Sequence, residues 1–273
     1  MTLEKLIREY MKSQNFLKLS EKSKASYAHC ADRLLVFFGN VNVESIKRSD
    51  LIRFMNEHGS KPAFANLAMR VASVMLSFAV DMDIIPHNPA HKLKKLKMGS
   101  HLRWEISEVR EVIALNDRKI STAVALAWYT GQREGDILAM RWGDFKDGYI
   151  STIQEKTKLE MKIKAHPDLI GYLESIRDGA PDGHYIVSGE KKMNSPAFRN
   201  MLKRRTKKLN IDKVFHGIRK GVACSLAENG RPINEIAAIM GHKSIRMAAY
   251  YSEQANGTTL RENAVSHIVS CVD

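Results

Sequence analysis

The chain has 273 residues, of which 44% are hydrophobic, so length and composition predict two domains with a packed core in each. It has no uninterrupted apolar run of about eighteen residues and no apolar stretch at its N-terminus, which excludes a membrane-spanning protein and a secretory signal. Three widely spaced cysteines, Cys30, Cys224 and Cys271, form no disulfide or zinc pattern, and we expect free thiols in a reducing cytoplasm. The net charge of +13 favours a polyanionic partner, with a solvated basic surface as the alternative.

The first ninety residues predict a compact helical domain of four or five helices. Leu3 opens a helical apolar pattern, and Ser20 or Ser23 can cap the helix that follows. A long helix is predicted over residues 64–80, and Asn88 with Pro89 breaks the pattern.

Residues 91–103 are predicted to form a basic linker between two domains, which could then close as a clamp round a duplex. An amphipathic helix on a membrane surface is the weaker interpretation, because no broad aromatic or leucine face accompanies the basic residues. Long basic side chains can contact phosphates without reading a base sequence. The residues expected to do so are Lys92, Lys94, Lys95, Lys97, Lys203, Arg204 and Arg205.

Residues 104–273 mix helical and strand patterns. Alternation over 149–153 and 161–165 predicts a β-hairpin, and 185–187 predicts a further short strand. The predicted helices cover 107–115, 122–129, 134–141, one opened by Pro167, one opened by Ser195 and Pro196, and several from His216 onward. The predicted fold class is therefore mainly α with a small β-sheet, that is, α+β.

Six residues of the second part lie at turns, at helix starts or at helical spacing. Each of them alone is most simply a surface or core residue, so the functional interpretation depends on their joint order. They are Arg133, Lys156, His216, Arg219, His242 and Tyr251.

The segments around these residues resemble the motifs of the tyrosine recombinases, the family of phage integrases and Xer-type resolving enzymes. The resemblance covers about residues 102–252. The matching segments are TGQREGDILAMRWGD at 130–144, QEKTK at 154–158, HGIR at 216–219, MGH at 240–242 and the tyrosine pair at 250–251.

The chemistry of phosphodiester cleavage needs these residue types. Two guanidiniums, those of Arg133 and Arg219, can hold the non-bridging oxygens, on which negative charge accumulates. We expect Tyr251 to be the nucleophile and the surrounding cations to favour its anionic form. The remaining roles are general base for His216, general acid on a mobile hairpin for Lys156 and hydrogen-bond donor for His242.

The resemblance implies a SAM-like, helical core-binding domain at 1–90 and a catalytic domain at 104–273. It also implies a 3′-phosphotyrosyl intermediate, a Holliday junction, and a homo-tetramer on double-stranded DNA with specific recombination sites. No cofactor, metal or ATP is expected, and DNA-bending accessory proteins are compatible with it. The expected location is the cytoplasm of a bacterial cell or of a phage-infected host, in association with the nucleoid.

The sequence departs from the family pattern at three places. Lys220 and Gly221 stand where His-Thr is frequent, Met240 replaces a leucine, and Asp136 is the shorter acid where glutamate is frequent. No arm-binding domain is expected within these residues, either because the protein is of the simpler kind or because the sequence is a fragment.

Two other functions and one structural question stay open. A type IB topoisomerase shares this chemistry, and residues 231–251 alone resemble the helix-turn-helix of a non-catalytic DNA-binding protein. The apolar residues of 258–272 can pack on their own domain or, as we favour, dock on a neighbouring protomer. These residues are Leu260, Ala264, Val265, Ile268 and Val269.

Overall fold

The computed structural model describes residues 1–242 and 244–266. The chain divides into two compact units, Met1–Ser100 and His101–Asp273, and the division falls inside the range 91–103 predicted for the linker. Ile268, Val269 and Cys271 lie outside the described residues.

The first unit is helical, as its sequence predicts. Ser20 caps its third helix by accepting a hydrogen bond from the Ser23 amide, and Tyr10, Phe54 and Met75 lie in its core. Its helices are α1 (Leu3–Lys12), α2 (Gln14–Leu17), α3 (Glu21–Phe38), α4 (Arg48–Glu57) and α5 (Pro62–Asp81).

Helix α5 is long and apolar enough to cross a membrane by length and composition, with a mean hydropathy of 1.6. Arg70 interrupts its apolar run, and Ala65, Val71 and Met75 are buried. Because helices α1, α3 and α4 pack against it, α5 is the central core helix of the first unit.

The chain from residue 91 to Leu96 is fastened to the first unit. Arg48 donates to the carbonyl of His91 at 2.7 Å, and the Asn66 amide both accepts from Leu96 N and donates to Leu96 O at 2.9 Å. Leu93 and Leu96 pack against the core of this unit. The lysines of this segment and the one that follows it are exposed, namely Lys92, Lys94, Lys95 and Lys97.

The second unit packs helices around a three-stranded antiparallel sheet of order β1-β2-β3, and the fold is α+β, as predicted. Trp104, Trp142 and Phe198 are among its fully buried side chains. Its helices are α6 (Ile106–Ala114), α7 (Arg118–Thr130), α8 (Glu134–Ile137), α9 (Pro167–Arg177), α10 (Ser195–Lys207), α11 (His216–Glu228), α12 (Ile233–Met240), α13 (Ile245–Ser252) and α14 (Gly257–Ser266). Its strands are β1 (Phe145–Lys146), β2 (Tyr149–Ile153) and β3 (Glu160–Lys164).

The predicted hairpin is present, with Tyr149 opposite Lys164 and Ile153 opposite Glu160. Two other predictions are wrong. Residues 185–187 form no strand, because Tyr185 makes only isolated bridges to Arg141 and Gly189.

The helix predicted over 134–141 also ends early, at Ile137. The chain there turns to bond with a distant segment. The carbonyl of Met140 accepts from Ile186 N at 3.0 Å, and Trp142 N donates to His184 O at 3.0 Å. These long-range bonds replace those of further helical turns.

Residues 101–104, which we call the strap, cross directly over α11. Trp104 N donates to Gly217 O at 3.2 Å, and the Trp104 indole donates to Val214 O at 3.0 Å. A methyl group at Gly217 would lie 2.2 Å from Leu102 O, and one at Gly221 would lie 2.4 Å from Trp104 O. Gly221, one of the departures from the family pattern, is therefore required by the crossing.

The described part of the C-terminal segment packs on its own unit. Helix α14 contacts α11, and Leu260 lies against the apolar cluster that contains Ile236 and Tyr251. This packing corresponds to the alternative that we do not favour from sequence, and it concerns Leu260 alone among the apolar residues of that segment.

Candidate active site

Arg133 lies between α7 and α8 because Gly131 ends α7 in the left-handed conformation, at φ 64°. Its Nη1 donates to Oε1 of Gln154 at 2.7 Å and lies 3.9 Å from Oδ2 of Asp136. A quarter of the Arg133 side chain is exposed, so part of the guanidinium can meet an anion from solvent.

Arg219 is buried on α11, with 2% of its surface exposed. It donates to the carbonyl oxygens of Gly131 and Met240. Burial and the nearby charge of Arg133 lower the pKa of Arg219 to about 10, so it remains protonated at neutral pH. The second guanidinium is thus held by the ends of α7 and α12.

His216 is the first residue of α11, and its ring lies edge-on to that of His101 in the strap, 5.8 Å between centroids. Burial lowers the pKa of His216, and the charges of Arg219, His101, Arg133 and Lys156 lower it further. The neutral imidazole that results can accept a proton at neutral pH.

Lys156 is exposed in the turn between β2 and β3. The turn is fastened at its base: Lys158 N donates to Gln154 O at 2.8 Å, and Glu155 N donates to Oδ1 of Asp136 at 2.8 Å. The hairpin that carries Lys156 is therefore bonded to α8, the helix that follows Arg133.

His242 follows Gly241, which ends α12 at φ 60°. Its ring stacks on that of Tyr251, with centroids 5.8 Å apart and an interplanar angle of 14°. Burial, with the charges of Arg219 and Arg133, lowers the pKa of His242 to about 4. Its buried Nδ1 has no hydrogen-bond partner in the described part of the chain.

Tyr251 is 6% exposed, whereas the adjacent Tyr250 is 45% exposed. Burial raises the pKa of Tyr251, and the opposing charges of Arg219 and Arg133 do not overcome it. The surrounding cations do favour the anionic phenol, as predicted, but burial outweighs their effect in the DNA-free protein. Removal of the phenolate from water raises the pKa of Tyr251 by more than the two guanidiniums lower it.

The predicted catalytic residues come from separate segments and lie close to one another. Electrostatic and ring contacts join His216, Arg219, His242 and Tyr251. The second basic cluster lies on α10, and Lys203 lines one cavity together with His101 and His216. Lys203 and Arg204 are exposed there, and Arg205 pairs with Asp117 at 2.7 Å.

Sequence reasoning missed the polar residues that support these side chains. Gln132 and Gln154 are buried between them, and His101 lies beside His216. Gln154 stands inside the QEKTK segment and Gln132 inside the TGQREGDILAMRWGD segment, so both carried a signal, but His101 carried none. Among residues 1–242 and 244–266, no three His, Cys, Asp or Glu side chains are grouped as metal ligands would be.

Residues 105–257, more than half of the chain, match the model of the phage integrase family. The chain belongs to this family. Among curated integrases, that of Escherichia phage lambda is 28% identical over 146 residues, which are 48% of this chain and 40% of the relative. The shufflon-specific DNA recombinase of Escherichia coli is 23% identical over 274 residues, with 92% of this chain and 69% of the relative covered. The chain spans less than half the length of the first curated integrases it matches, at 40%, 40% and 38%.

Solved integrase structures share the fold. A lambda integrase fragment, in a dimer bound to a core site, has a TM-score of 0.81 at 22% identity, covering 92% of this chain and 95% of that chain. The Tn1549 transposon integrase, in complex with circular-intermediate DNA, has a TM-score of 0.77 at 18% identity, covering 97% and 99%. At these identities the similarity establishes the architecture of this chain.

Proposed function

We propose that this member of the integrase family is a site-specific DNA recombinase that cleaves and rejoins strands through Tyr251. The observation that carries the proposal is the stacking of the Tyr251 ring on His242, next to the guanidiniums of Arg133 and Arg219. A nucleophile, an imidazole and two cations in one place suit attack on a phosphodiester.

The proposed reaction is a transesterification. The Tyr251 oxygen bonds to phosphorus while the bond from phosphorus to the 5′ oxygen breaks, which leaves a 3′-phosphotyrosyl link. Because its pKa is raised, the phenol is protonated in the resting protein, so a base must take the proton during attack. His216, whose pKa is lowered, is the proposed base, and Lys156 is the proposed donor to the leaving 5′ oxygen.

The guanidiniums of Arg133 and Arg219 are proposed to contribute differently to binding of the phosphate. Arg133 is partly exposed, whereas Arg219 is buried and donates to two carbonyls. Both add positive charge where the transition state accumulates negative charge. His242 is proposed to donate a hydrogen bond to a phosphate oxygen. Religation is the reverse reaction and needs no ATP, since the phosphotyrosyl link retains the energy of the cut bond.

The proposed partner is double-stranded DNA with specific sites, and the proposed assembly is a tetramer. Supporting structures include a lambda integrase tetramer bound to a Holliday junction. The proposed core-binding domain is the first unit, the catalytic domain is the second, and the expected location is the nucleoid of a bacterial or phage-infected cell.

The decisive experiment traps the covalent intermediate. The protein is incubated with a library of nicked, randomised duplexes, denatured, and the DNA that stays attached is sequenced. We expect an enriched site joined to Tyr251 through a 3′ phosphate. Tyr251→Phe should abolish the adduct and keep DNA binding, and Tyr250→Phe is the matched control that should retain it.

Other outcomes identify the alternatives. An adduct that survives Tyr251→Phe contradicts the assignment of the nucleophile. Binding without any adduct indicates a non-catalytic DNA-binding protein. Adducts without an enriched site, together with relaxation of supercoiled plasmid by the monomer, indicate a topoisomerase.

A further inference from the structure

Gln154 is fully buried, and four hydrogen bonds converge on its side-chain amide. Its Oε1 accepts from Nη1 of Arg133 at 2.7 Å and from Oγ1 of Thr157 at 2.7 Å. Its Nε2 donates to Oε1 of Gln132 at 2.7 Å and to Met240 O at 3.3 Å. An amide has two donor hydrogens and two acceptor lone pairs, so the capacity of this group is filled.

Gln132, with 1% of its surface exposed, completes the arrangement. Its Nε2 donates to Thr130 O and to Ile239 O, both at 3.0 Å, while its Oε1 accepts from Gln154. Gly241 makes room for this contact, because a methyl group there would lie 2.2 Å from Nε2 of Gln154. The two glutamines therefore connect the end of α7, the end of α12 and the end of β2.

Burial of two amides between apolar helices stabilises a fold only when every polar atom is bonded, and an apolar pair would fill the same space without that requirement. An apolar pair would, however, leave Arg133 without the acceptor that holds Nη1. The other nearby acceptor, Oδ2 of Asp136, lies 3.9 Å away, beyond hydrogen-bond distance. What the glutamines contribute is thus the direction of the Arg133 guanidinium.

We propose that Gln132 and Gln154 form an amide clasp, a pair of positioning residues for the proposed cleavage reaction. The clasp holds one edge of Arg133 and leaves its other N–H groups for the phosphate. It also ties the turn that carries Lys156 to the residues before His242, through Thr157 and Met240. The acid, the first guanidinium and the stacked imidazole therefore keep a common geometry.

The positioning is measured without DNA, by nitrogen-15 NMR of the arginine side chains in the full chain. The Arg133 signals are assigned as those that disappear from the spectrum of Arg133→Lys. We expect slow rotation and separate Nη signals for Arg133, and averaged signals in Gln154→Met, which keeps the side-chain length but removes the amide. Gln14→Met, the same change on the exposed helix α2, should leave Arg133 unchanged. Averaged signals in the wild type, or unchanged signals in Gln154→Met, would overturn the clasp.

The effect of the clasp on catalysis rests on the proposed function. It is measured as the rate at which the covalent adduct forms in a single turnover. The substrate is a nicked duplex with the sequence recovered from the library. Gln154→Met should slow the reaction about tenfold, as expected for the loss of a hydrogen bond to a charged group. In an Arg133→Ala background the same change should cost clearly less than tenfold, because the part of the effect that acts through Arg133 is then absent and only the ties to the Lys156 turn and to Met240 remain. Equal losses in both backgrounds would overturn the proposal.

Two further results keep the test decisive. If Gln154→Met loses the folded tryptophan fluorescence, Gln132→Met replaces it, and faster rotation of Arg133 is again the expected result. A wild type that forms no adduct would contradict the proposed function, while the NMR measurement would still decide the clasp.

Discussion

At the residue scale, the histidine that stacks on the proposed nucleophile is strongly affected by its surroundings. His242 is surrounded by protein on one side and stacks on Tyr251 on the other, and its pKa is lowered to about 4. The unfolded chain would protonate this histidine near pH 6.5. The fold therefore depends on a neutral imidazole at this position.

The free energy of unfolding of the second unit should consequently fall as the pH is lowered. The lowered pKa means that the unfolded state binds a proton between pH 6.5 and about pH 4 and the folded state does not. Stability is complete above pH 6.5 and declines through this window, by up to about 3 kcal/mol from His242. The three tryptophans, Trp104, Trp128 and Trp142, all lie in the second unit, so their fluorescence in urea reports its unfolding.

His242→Gln is the matched variant, since it lacks the titrating ring. The difference in unfolding free energy between the wild type and this variant should shrink toward pH 4. A difference that is independent of pH would contradict a neutral, buried His242. His216, whose pKa is also lowered, contributes with the same sign in both proteins and cancels in the difference.

Residue types and their order were sufficient to predict the six proposed catalytic residues, because their segments match a family pattern in sequence. Their supporting residues were not predictable in the same way. Gln132 is defined by bonds to Gln154 and Ile239, which are 22 and 107 positions away along the chain. The effect of the two guanidiniums on the pKa of Tyr251 was predictable, but the larger opposing effect of burial was not, since burial is a property of packing that local spacing does not contain.

At the element scale, α11 carries two glycines one turn apart, on the face that the strap crosses. Gly217 and Gly221 lie closer to backbone oxygens than a side chain permits. Glycine lowers the stability of a helix because it loses more conformational entropy on folding than other residues. Here the missing side chains allow the main chain of the strap to pass close to the helix that also carries His216 and Arg219.

Gly221→Ala should therefore destabilise the second unit, although alanine is the better helix former. The added methyl group would meet Trp104 O at 2.4 Å, and displacement of the strap should cost about 1–3 kcal/mol. The control is Gly171→Ala in α9, where nothing lies within 4 Å, and a gain of about 0.5–1 kcal/mol is expected. Urea unfolding followed by tryptophan fluorescence measures both, and equal effects of the two variants would refute the close crossing.

Elements with strong local patterns were predictable, and elements set by distant partners were not. The hairpin over Tyr149–Ile153 follows from alternation, and the helix at Pro167 follows from a residue suited to a first turn. The early end of α8 and the absence of a strand at Tyr185 depend on bonds between residues 140–142 and 184–186. The apolar residues of these two segments fit a helix and a strand pattern, but the hydrogen bonds between the segments determine the conformation of both.

At the scale of the whole molecule, positive charge is distributed over both units. Exposed lysines follow the 92–97 segment of the first unit, and Lys203 and Arg204 lie on α10 of the second. Arg205, although in the same cluster, is already paired with Asp117. The basic side chains predicted to contact phosphates therefore differ, because that of Arg205 would have to leave Asp117 to do so.

Replacement of Lys94 and Lys95 by glutamine should weaken DNA binding and reduce its dependence on salt. Each phosphate contact that is lost lowers the slope of log K against log salt concentration by about 0.9, so a change of about two is expected. Titrations of a labelled random-sequence duplex at several salt concentrations measure the slope. The same change at Lys5 and Lys18, both exposed, is the control, and identical slopes for the two double variants would refute the assignment.

The strap also determines where this protein tolerates being cut. Cleavage of the peptide bond after Ser100 would separate two pieces that each retain their own core, whereas cleavage after Trp104 would remove the tryptophan that covers α11. The region shared with the family begins at residue 105, just beyond that tryptophan. A fragment trimmed to the family boundary would expose the glycine face of the helix that holds His216 and Arg219, and limited proteolysis should spare the strap while the second unit is folded.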